Sequence, residues 1–349
     1  MSVSTHNDWD PLKEIIVGSA TGARVPTVDA STMSFGYANY PLAEVKKIEG
    51  PLPQVLIDEA NEDIEDFARV LRQAGVKVHR PALIDTAVTF STPDWSTTGW
   101  YTWCPRDLLL PLDNLMIETP SPTRSRYFET RAYRDVMLEA VRDGVEWIAA
   151  PKPVLSDESY DFSDLSKPTL MNFEPIFDAP NVVRLGRDLL YQVSNSGNKL
   201  GFQWLRNVLE PRGYRLHMAE HVYSFAHFDS TIIPLRPGLV LLNASRVNAG
   251  NCPPLFSAWD KIYFDDMVIP AQESPGGMAA CSPYIGLNLL SIDSQTVCVD
   301  REQVPLIRTL ESRGIQCIPL RMRHARTLSG GFHCASLDLV REGPLESYF

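Results

Sequence analysis

The stretch Leu108-Leu109-Leu110-Pro111-Leu112-Asp113-Asn114-Leu115-Met116-Ile117 consists of two apolar runs joined by a short polar turn, which is typical of a β-hairpin. Apolar residues at helical spacing follow over Arg131 to Asp143 and predict an amphipathic helix. Gly144-Val145-Glu146-Trp147 then predicts a glycine at the helix C-terminus and a short strand. The predicted unit is therefore strand, strand, helix, strand.

The same unit recurs along the chain. Three further helix-and-glycine segments are Glu62 to Ala74 before Gly75, Phe202 to Arg212 before Gly213, and Val304 to Arg313 before Gly314. Three further hairpin signals are Val182 to Tyr191, Thr231 to Leu242, and Leu287 to Val299. A shortened unit fits the longer last interval, around Trp259-Asp260-Lys261-Ile262-Tyr263. About five ββαβ repeats favour a closed radial array around one central cavity, within one domain spanning residues 1–349.

Bulk composition excludes several classes of function. A net charge of -11 over 349 residues leaves no basic patch for nucleic acid or an anionic membrane surface. It is compatible with a cationic substrate, although surface acidity mostly serves solubility. No apolar run approaches the ~20 residues of a membrane span, and Met1 to Trp9 is too polar for a signal peptide. Six cysteines without paired spacing predict free thiols and a cytoplasmic location.

Gly330-Gly331-Phe332-His333-Cys334 presents a cysteine at the start of a predicted strand, after two glycines that leave room for a substrate. His227 and Asp178 are candidate activating residues, and the three lie on different repeats at predicted strand edges. A radial array would bring such edges together, giving nucleophile, proton shuttle and orienting carboxylate. Taken singly, a histidine in a strand is usually structural and an aspartate before a turn is usually a cap.

Two more carboxylates favour a planar cation as substrate. Asp107 lies at the mouth of a strand, and Asp229 lies two residues past His227, hence on the same predicted strand face. Paired carboxylates can hold a guanidinium by bidentate hydrogen bonds. His227, Asp229, His333 and Cys334 also mix zinc-type ligands, but adjacent residues of a strand face opposite ways, so no metal and no cofactor is predicted.

With these residues in view, the chain resembles the arginine amidinotransferases of the guanidino-group-modifying superfamily. The resemblance extends nearly end to end. It is carried by Asn7 to Gly18, Thr92-Pro93-Asp94, Pro105-Arg106-Asp107, Arg124 to Glu129, Ala150 to Pro153, Phe173 to Ala179, His227 to Thr231, the Gly330 to Cys334 stretch and Leu345 to Tyr348.

The resemblance implies a five-bladed α/β propeller and a ping-pong transfer without a cofactor. Cys334 would attack the guanidino carbon of L-arginine, L-ornithine would leave, and an amine acceptor would take the amidino group. The implied roles are general acid and base for His227, its support for Asp178, guanidinium binding for Asp107 and Asp229, and amino-acid carboxylate binding for Arg246 and Ser282. A homodimer is a further implication.

Departures from relatives acting on glycine concern the acceptor. Ser224 and Ala226 stand where those relatives have asparagine and methionine, so an acceptor bulkier than glycine is expected. The sequence around His227 is most similar to that of the inosamine-phosphate amidinotransferases of bacterial antibiotic biosynthesis. An arginine:lysine amidinotransferase is an alternative. Ser329 replaces a glycine of the motif. Arg24 to Tyr40 and Glu273 to Cys281 are candidate loops for closing the cavity.

Two other classes of function stay open at this point. An arginine deiminase, in which water attacks the covalent intermediate, uses similar residues but lacks the opening and closing motifs of this chain. A binding protein that has kept the fold would have no need to keep Cys334, His227, Asp178, Asp107 and Asp229 together.

Overall fold

A computed structural model describes residues 3–269 and 274–349, and five three-stranded sheets within them share one topology. In every sheet the central strand pairs antiparallel with one neighbour and parallel with the other. The strands are Ser336–Arg341, Leu12–Val17 and Lys77–His79; Leu109–Leu112, Leu115–Glu118 and Glu146–Ala149; Val182–Leu185, Asp188–Tyr191 and Arg215–Met218; Ile232–Arg236, Leu239–Asn243 and Asp260–Phe264; and Leu290–Ser291, Thr296–Asp300 and Gln316–Leu320. We number these sheets one to five in that order.

Helices connect the parallel strands in four of these sheets. The α-helices of the described residues are Ala30–Thr32, Leu42–Val45, Gln54–Gln73, Arg134–Arg142, Lys199–Leu209 and Val304–Ser312, with a π-helix at Met33–Tyr37. The 3₁₀ segments are Lys46–Ile48, Pro105–Asp107, Arg124–Arg126, Glu129–Tyr133, Asp157–Ser159, Ala179–Asn181, Glu210–Arg212, Pro254–Phe256, Pro275–Gly277 and Pro283–Leu287. Two-stranded ribbons pair Arg24–Val25 with Gly50–Pro51 and Phe90–Ser91 with Ser96–Thr97.

The predicted repeat is confirmed as ββαβ in its strand pairing. Gly75, Gly144, Gly213 and Gly314 all have φ between 73° and 95°, the left-handed conformation that ends a helix. Sheet four replaces the crossover helix with Pro254–Phe256 before the strand Asp260–Phe264, as the shortened unit predicts.

Several predicted boundaries are wrong. The helix expected to start at Glu62 begins at Gln54, because Leu56, Ile57 and Ala60 continue its buried face. The strand expected from Leu287 begins at Leu290, because Pro283–Leu287 forms a 3₁₀ turn that Pro283 at its first position favours.

The fold class is mixed α/β with no closed barrel. The hairpin strands of sheets two, three and four are almost continuously buried, whereas the third strand of each is partly exposed. Burial on both faces explains why the hairpins read as unbroken apolar runs. None of the helices described here combines the length and the apolar character needed to cross a lipid bilayer.

Candidate active site

The chemically distinctive residues occupy equivalent positions in the repeat. Asp107, Asp178, His227 with Asp229, and Cys334 precede the first strands of sheets two, three, four and one, respectively. Ser282 lies in the segment that enters sheet five. None of these residues lies in a strand: Asp107 is in a 3₁₀ segment, Asp229 and Cys334 are in turns, and Asp178, His227 and Ser282 are in irregular connections. The repeat therefore carries these side chains on the same kind of connection in five successive units.

Cys334 is buried against two other polar groups. Its Sγ lies 2.8 Å from Asp229 Oδ2, and its backbone N–H donates to Asn288 Oδ1 at 2.9 Å. Burial, with contributions from Cys104 and the Asp229 carboxylate, raises the pKa of the Cys334 thiol well above its usual value. In the resting protein Cys334 is therefore a thiol that donates to Asp229.

Glycine is required beside this thiol. A Cβ at Gly330 would lie 2.6 Å from Cys104 Sγ and 2.8 Å from Cys334 Cβ. Gly330 is therefore needed to fit Cys104 beside Cys334, and its leaving room for a substrate stays a prediction. Ser329 has φ of 58°, a conformation that glycine adopts more readily.

His227 is held between two carboxylates. Its Nε2 lies 3.1 Å from Asp178 Oδ2, and its Nδ1 lies 3.7 Å from Asp107 Oδ1. Burial by itself would lower the pKa of His227, but the Asp107 charge and the Asp178 hydrogen bond raise it well above the usual value. The edge of the Phe35 ring packs on the imidazole at 5.6 Å between centroids. The imidazole is therefore a cation positioned to donate a proton.

Asp107 does not line the cavity, but one of its carboxylate oxygens lies within 4.8 Å of the Cys334 sulfur and of an imidazole nitrogen of His227. One of its oxygens accepts from Arg126, and Arg126 also donates to both oxygens of Glu129, at 2.7 and 2.8 Å. Its other oxygen, Oδ1, is buried without a hydrogen-bond partner. Asp107 therefore keeps one free acceptor beside the imidazole.

Asp229 joins the cysteine to a second histidine. Its Oδ2 accepts from His333 Nδ1 at 3.0 Å as well as from Cys334. Burial would raise the pKa of this carboxyl, but His333 and His227 hold it well below its usual range. Asp229 is thus an anion next to the thiol, suited to receive a cation.

His227, Asp229 and Cys334 line a cavity of about 420 Å³, within the usual range for small-ligand sites. Arg246 lies on its wall, donating to Ser282 Oγ at 2.8 Å and to Thr231 Oγ1 at 2.7 Å. Burial lowers the pKa of Arg246 to about 10. Ser224 and Ala226 also line the cavity, although the Ser224 hydroxyl points to Gln192 Oε1 at 2.6 Å and to the His227 carbonyl at 2.7 Å.

Both candidate loops contribute to the cavity wall. Ser34, Phe35 and Tyr40 come from the first, and Ala279 and Cys281 from the second. Glu273, at the start of the second predicted loop, lies outside the described residues.

Two arguments from strand geometry are wrong. Phe228 and Asp229 lie in a bend and a turn and His227 in an irregular segment, so the placement of Asp229 near His227 does not come from a strand face. His333 and Cys334 lie in a turn, and both contact Asp229 Oδ2 instead of facing opposite ways. The period-two rule fails at both places because these segments have no ladder partner.

Three contributing residues were not predicted. Arg126 lies in a segment that carries the family resemblance but gives no sign of its pairing with Asp107. The sequence indicates His333 only as a zinc-type ligand, and Asn288 has no distinguishing sequence signal. The contact between Asn288 and Cys334 depends on tertiary structure, because the two residues are far apart along the chain.

Asp107, His227 and Cys334 also have the residue types of a metal site. One ligand atom from each lies within 4.8 Å of the other two. Arg126 already occupies one Asp107 oxygen, and Asp178 occupies one His227 nitrogen. These hydrogen bonds fit a proton-transfer network, and the absence of a metal stays a prediction.

Comparison with known proteins identifies relatives over the whole chain. The chain is 44% identical over 346 residues to inosamine-phosphate amidinotransferase 1 of Streptomyces glaucescens, with 99% of each chain covered. It is 36% identical over 354 residues to the L-arginine:L-lysine amidinotransferase of Pseudomonas savastanoi pv. phaseolicola, covering 99% of this chain and 96% of that one. No protein-family model matches the chain.

Solved structures give the same result for the fold. The inosamine-phosphate amidinotransferase of Streptomyces griseus superposes with a TM-score of 0.95 at 45% identity, covering 100% of this chain and 99% of that one. A dimethylarginine dimethylaminohydrolase of Pseudomonas aeruginosa, at 16% identity, 94% and 99% coverage and a TM-score of 0.59, shares the fold alone. The chain belongs to the amidinotransferase family, whose members are amidino-group transferases.

Proposed function

We propose that the chain transfers the amidino group of L-arginine, through a covalent amidino-cysteine at Cys334, to an inosamine phosphate. The observation that carries the proposal is the contact of the Cys334 thiol with the Asp229 carboxylate, on the wall of a cavity that also holds the His227–Asp178 pair. Identities of 44–45% to inosamine-phosphate enzymes over the full chain support the acceptor.

The donor binds as a cation. Asp229 and the free Oδ1 of Asp107 accept from the guanidinium, and Arg246 with Ser282 binds the carboxylate of arginine. The arriving positive charge lowers the pKa of the Cys334 thiol, which loses its proton to water and becomes the nucleophile. Ionisation of the thiol is thereby coupled to occupation of the site.

The first half-reaction releases ornithine. Cys334 Sγ forms a bond to the guanidino carbon, and the bond from that carbon to the side-chain nitrogen of arginine breaks. Protonated His227 donates to the departing nitrogen, so ornithine leaves as a neutral amine before it takes up a proton in solution. The amidino group stays on sulfur, and His227 is left neutral.

The second half-reaction reverses these steps with another amine. The acceptor nitrogen bonds to the amidino carbon and loses a proton to neutral His227, and the carbon–sulfur bond breaks to restore the thiolate. Asp178 holds the imidazole in one orientation throughout, through the 3.1 Å contact with Nε2. The two half-reactions give a guanidino product and ping-pong kinetics.

Ser224 and Ala226 support an acceptor larger than glycine, because their small side chains line the cavity. Lysine is the second candidate acceptor, since the chain is 36% identical to an arginine:lysine enzyme along 99% of its length. Hydrolysis of the intermediate by water would instead give citrulline.

The larger architecture is proposed on the repeat. Five sheets of one topology, each bringing its first-strand entry segment to the site, support a five-bladed propeller formed by a single domain over residues 1–349. We further propose a homodimer and a cytoplasmic location, the latter because all six cysteines are free. Sedimentation equilibrium tests the dimer, and a single calorimetric unfolding transition tests the single domain.

Product analysis tests the proposed reaction. The protein is mixed with arginine and inosamine phosphate, lysine, glycine or no acceptor, and ornithine, citrulline and guanidino products are separated by mass spectrometry. Ornithine with guanidinated inosamine phosphate is expected, and Cys334→Ala abolishes both. Cys252→Ala, at a half-buried cysteine outside the cavity, is the matched control. Citrulline as the main product would replace the transferase assignment with a hydrolase.

A further inference from the structure

The cavity contains a second arginine whose side chain has no hydrogen-bond or ion-pair partner among residues 3–269 and 274–349. Arg326 lines the cavity together with Arg246. Within the described residues its guanidinium makes no hydrogen bond or ion pair, and its Nε is buried without a partner. By contrast, the buried guanidinium groups of Arg126, Arg184 and Arg341 all donate to carboxylates. A guanidinium left unpaired at a cavity wall is suited to an anionic ligand.

The cavity that Arg326 lines carries little negative charge, and Asp300 lies with Arg326 on a small neighbouring pocket. Asp229 is the acidic side chain among the described cavity-lining residues, and it already accepts from Cys334 and His333. The chain as a whole has a net charge of -11, so two cationic side chains on one cavity wall depart from its overall character. The local charge favours a ligand with more than one negative charge.

Arg326 and Arg246 belong to one wall. The Arg326 carbonyl accepts from the Ala280 N–H at 3.1 Å, which fixes the Arg326 turn against the segment that carries Ser282. Ser282 in turn accepts from Arg246. Burial raises the pKa of the Cys281 thiol to about 12, and the charges of Arg326 and Arg246 both act to lower it.

The donor does not require both arginines. L-arginine has one carboxylate, and Arg246 with Ser282 suffices to bind it. In a ping-pong reaction ornithine leaves before the acceptor enters, so an acceptor carboxylate could reuse Arg246. A phosphate has up to two negative charges and three terminal oxygens, and can accept from two guanidinium groups at once.

We propose that Arg326, together with Arg246, binds the phosphate group of a phosphorylated amine acceptor. The inference rests on the proposed function, and it assigns the preference for a phosphorylated acceptor to Arg326. Arg326 is a binding residue for the second half-reaction.

The half-reactions can be measured separately. Wild-type protein and Arg326→Ala are charged with arginine, freed of excess donor, and discharged with inosamine phosphate or with the same inosamine lacking phosphate. Loss of hydrogen bonds to a charged group predicts about a 10- to 100-fold rise in the KM for inosamine phosphate. The KM for unphosphorylated inosamine changes far less. Arg326→Lys keeps the charge without the bidentate geometry and falls in between.

A matched control removes a similar charge from the same region of the chain. Arg321→Ala deletes a guanidinium that pairs with Glu62 and Asp66 outside the cavity, and discharge by inosamine phosphate should be unaffected. Inorganic phosphate should compete with inosamine phosphate in the wild type and lose that effect in Arg326→Ala. An equal loss toward phosphorylated and unphosphorylated acceptors, or an equal loss in arginine charging, would overturn the proposal.

A binding measurement separates this proposal from the proposed function. Calorimetric titration of inosamine phosphate into Cys334→Ala protein measures binding without amidino transfer. Affinity that falls about 10- to 100-fold in Cys334→Ala/Arg326→Ala supports the phosphate site even if wild-type protein forms no adduct with arginine. Equal affinity in the two proteins rejects the phosphate site and leaves the transferase assignment untouched.

Discussion

At the scale of single residues, the site depends on charges that oppose burial. His227 is buried, yet Asp107 and Asp178 keep it cationic, and Asp229 stays anionic because His333 and His227 are close. The Cys334 thiol is the one reactive group left uncharged, until a cationic substrate arrives. The first half-reaction therefore starts with His227 already protonated as the acid, and Cys334 becomes the nucleophile when the substrate binds.

Asp178→Asn tests the state of His227. Removing this carboxylate lowers the pKa of His227, so the alkaline limb of arginine charging moves down by about 1–3 pH units. Charging itself slows by about 10²–10⁴-fold, because the acid is weakly held and less protonated. Asp188→Asn, which disturbs a 2.7 Å aspartate–histidine contact with His217 outside the cavity, is the control. An unmoved alkaline limb would exclude His227 as the acid.

Side-chain size at two cavity positions should set the acceptor. Ser224→Asn/Ala226→Met introduces the larger residues that the resemblance implies for relatives acting on glycine, so inosamine phosphate should lose at least about tenfold in discharge rate through steric exclusion. Glycine should become a better acceptor than in the wild type. Discharge of the amidino-enzyme by each amine measures both effects. Unchanged discharge by inosamine phosphate would place the acceptor elsewhere in the cavity.

Metal removal distinguishes the proton network from a metal site. Asp107, His227 and Cys334 are close enough to bind an ion, but their hydrogen bonds already serve the proposed proton transfer. Dialysis against a strong chelator should leave ornithine release unchanged, and elemental analysis should find no stoichiometric zinc. Activity lost on chelation and restored by zinc would require a metal mechanism.

At the scale of secondary-structure elements, the site residues are placed by the connecting segments and not by the strands. The strands could be predicted because burial on both faces makes them continuous apolar runs, and the helix ends because glycine marks them. The orientation of His333 beside Cys334 could not, because both lie in a turn where the alternation of a strand does not apply. The alternation of side chains along a strand does not extend to the residues that precede the strand.

Two glycine substitutions distinguish the role of glycine at a helix end, at Gly144, from its role in the turn beside the nucleophile, at Gly330. Gly330→Ala forces a Cβ to within 2.8 Å of Cys334 Cβ, and displacement of the sulfur should slow charging by about 100-fold. Gly144→Ala meets no atom within 4 Å, but its φ of 95° costs about 1–2 kcal/mol of stability. Denaturant melts and single-turnover charging measure the two quantities. Equal charging rates in both variants would contradict the steric account of Gly330.

At the scale of the whole molecule, the repeat predicts both the fold and the place of the site. Five copies of one topology put Asp107, Asp178, His227 and Cys334 on equivalent entry segments, so a count of repeats already indicates where they meet. The pairing of Arg126 with Asp107 could not be predicted, since local sequence does not specify which carboxylate a buried arginine will contact. Nor does the sequence reveal that the Arg326 guanidinium is unpaired, because this depends on everything packed around it.

Intact-protein mass spectrometry after mixing with arginine and no acceptor tests the central claim most directly. The account predicts a mass gain of one amidino group, one equivalent of ornithine, and neither in Cys334→Ala. Addition of inosamine phosphate should then return the protein to its original mass. An unmodified protein with no ornithine, or an adduct that persists in Cys334→Ala, would contradict a covalent amidino-cysteine at Cys334.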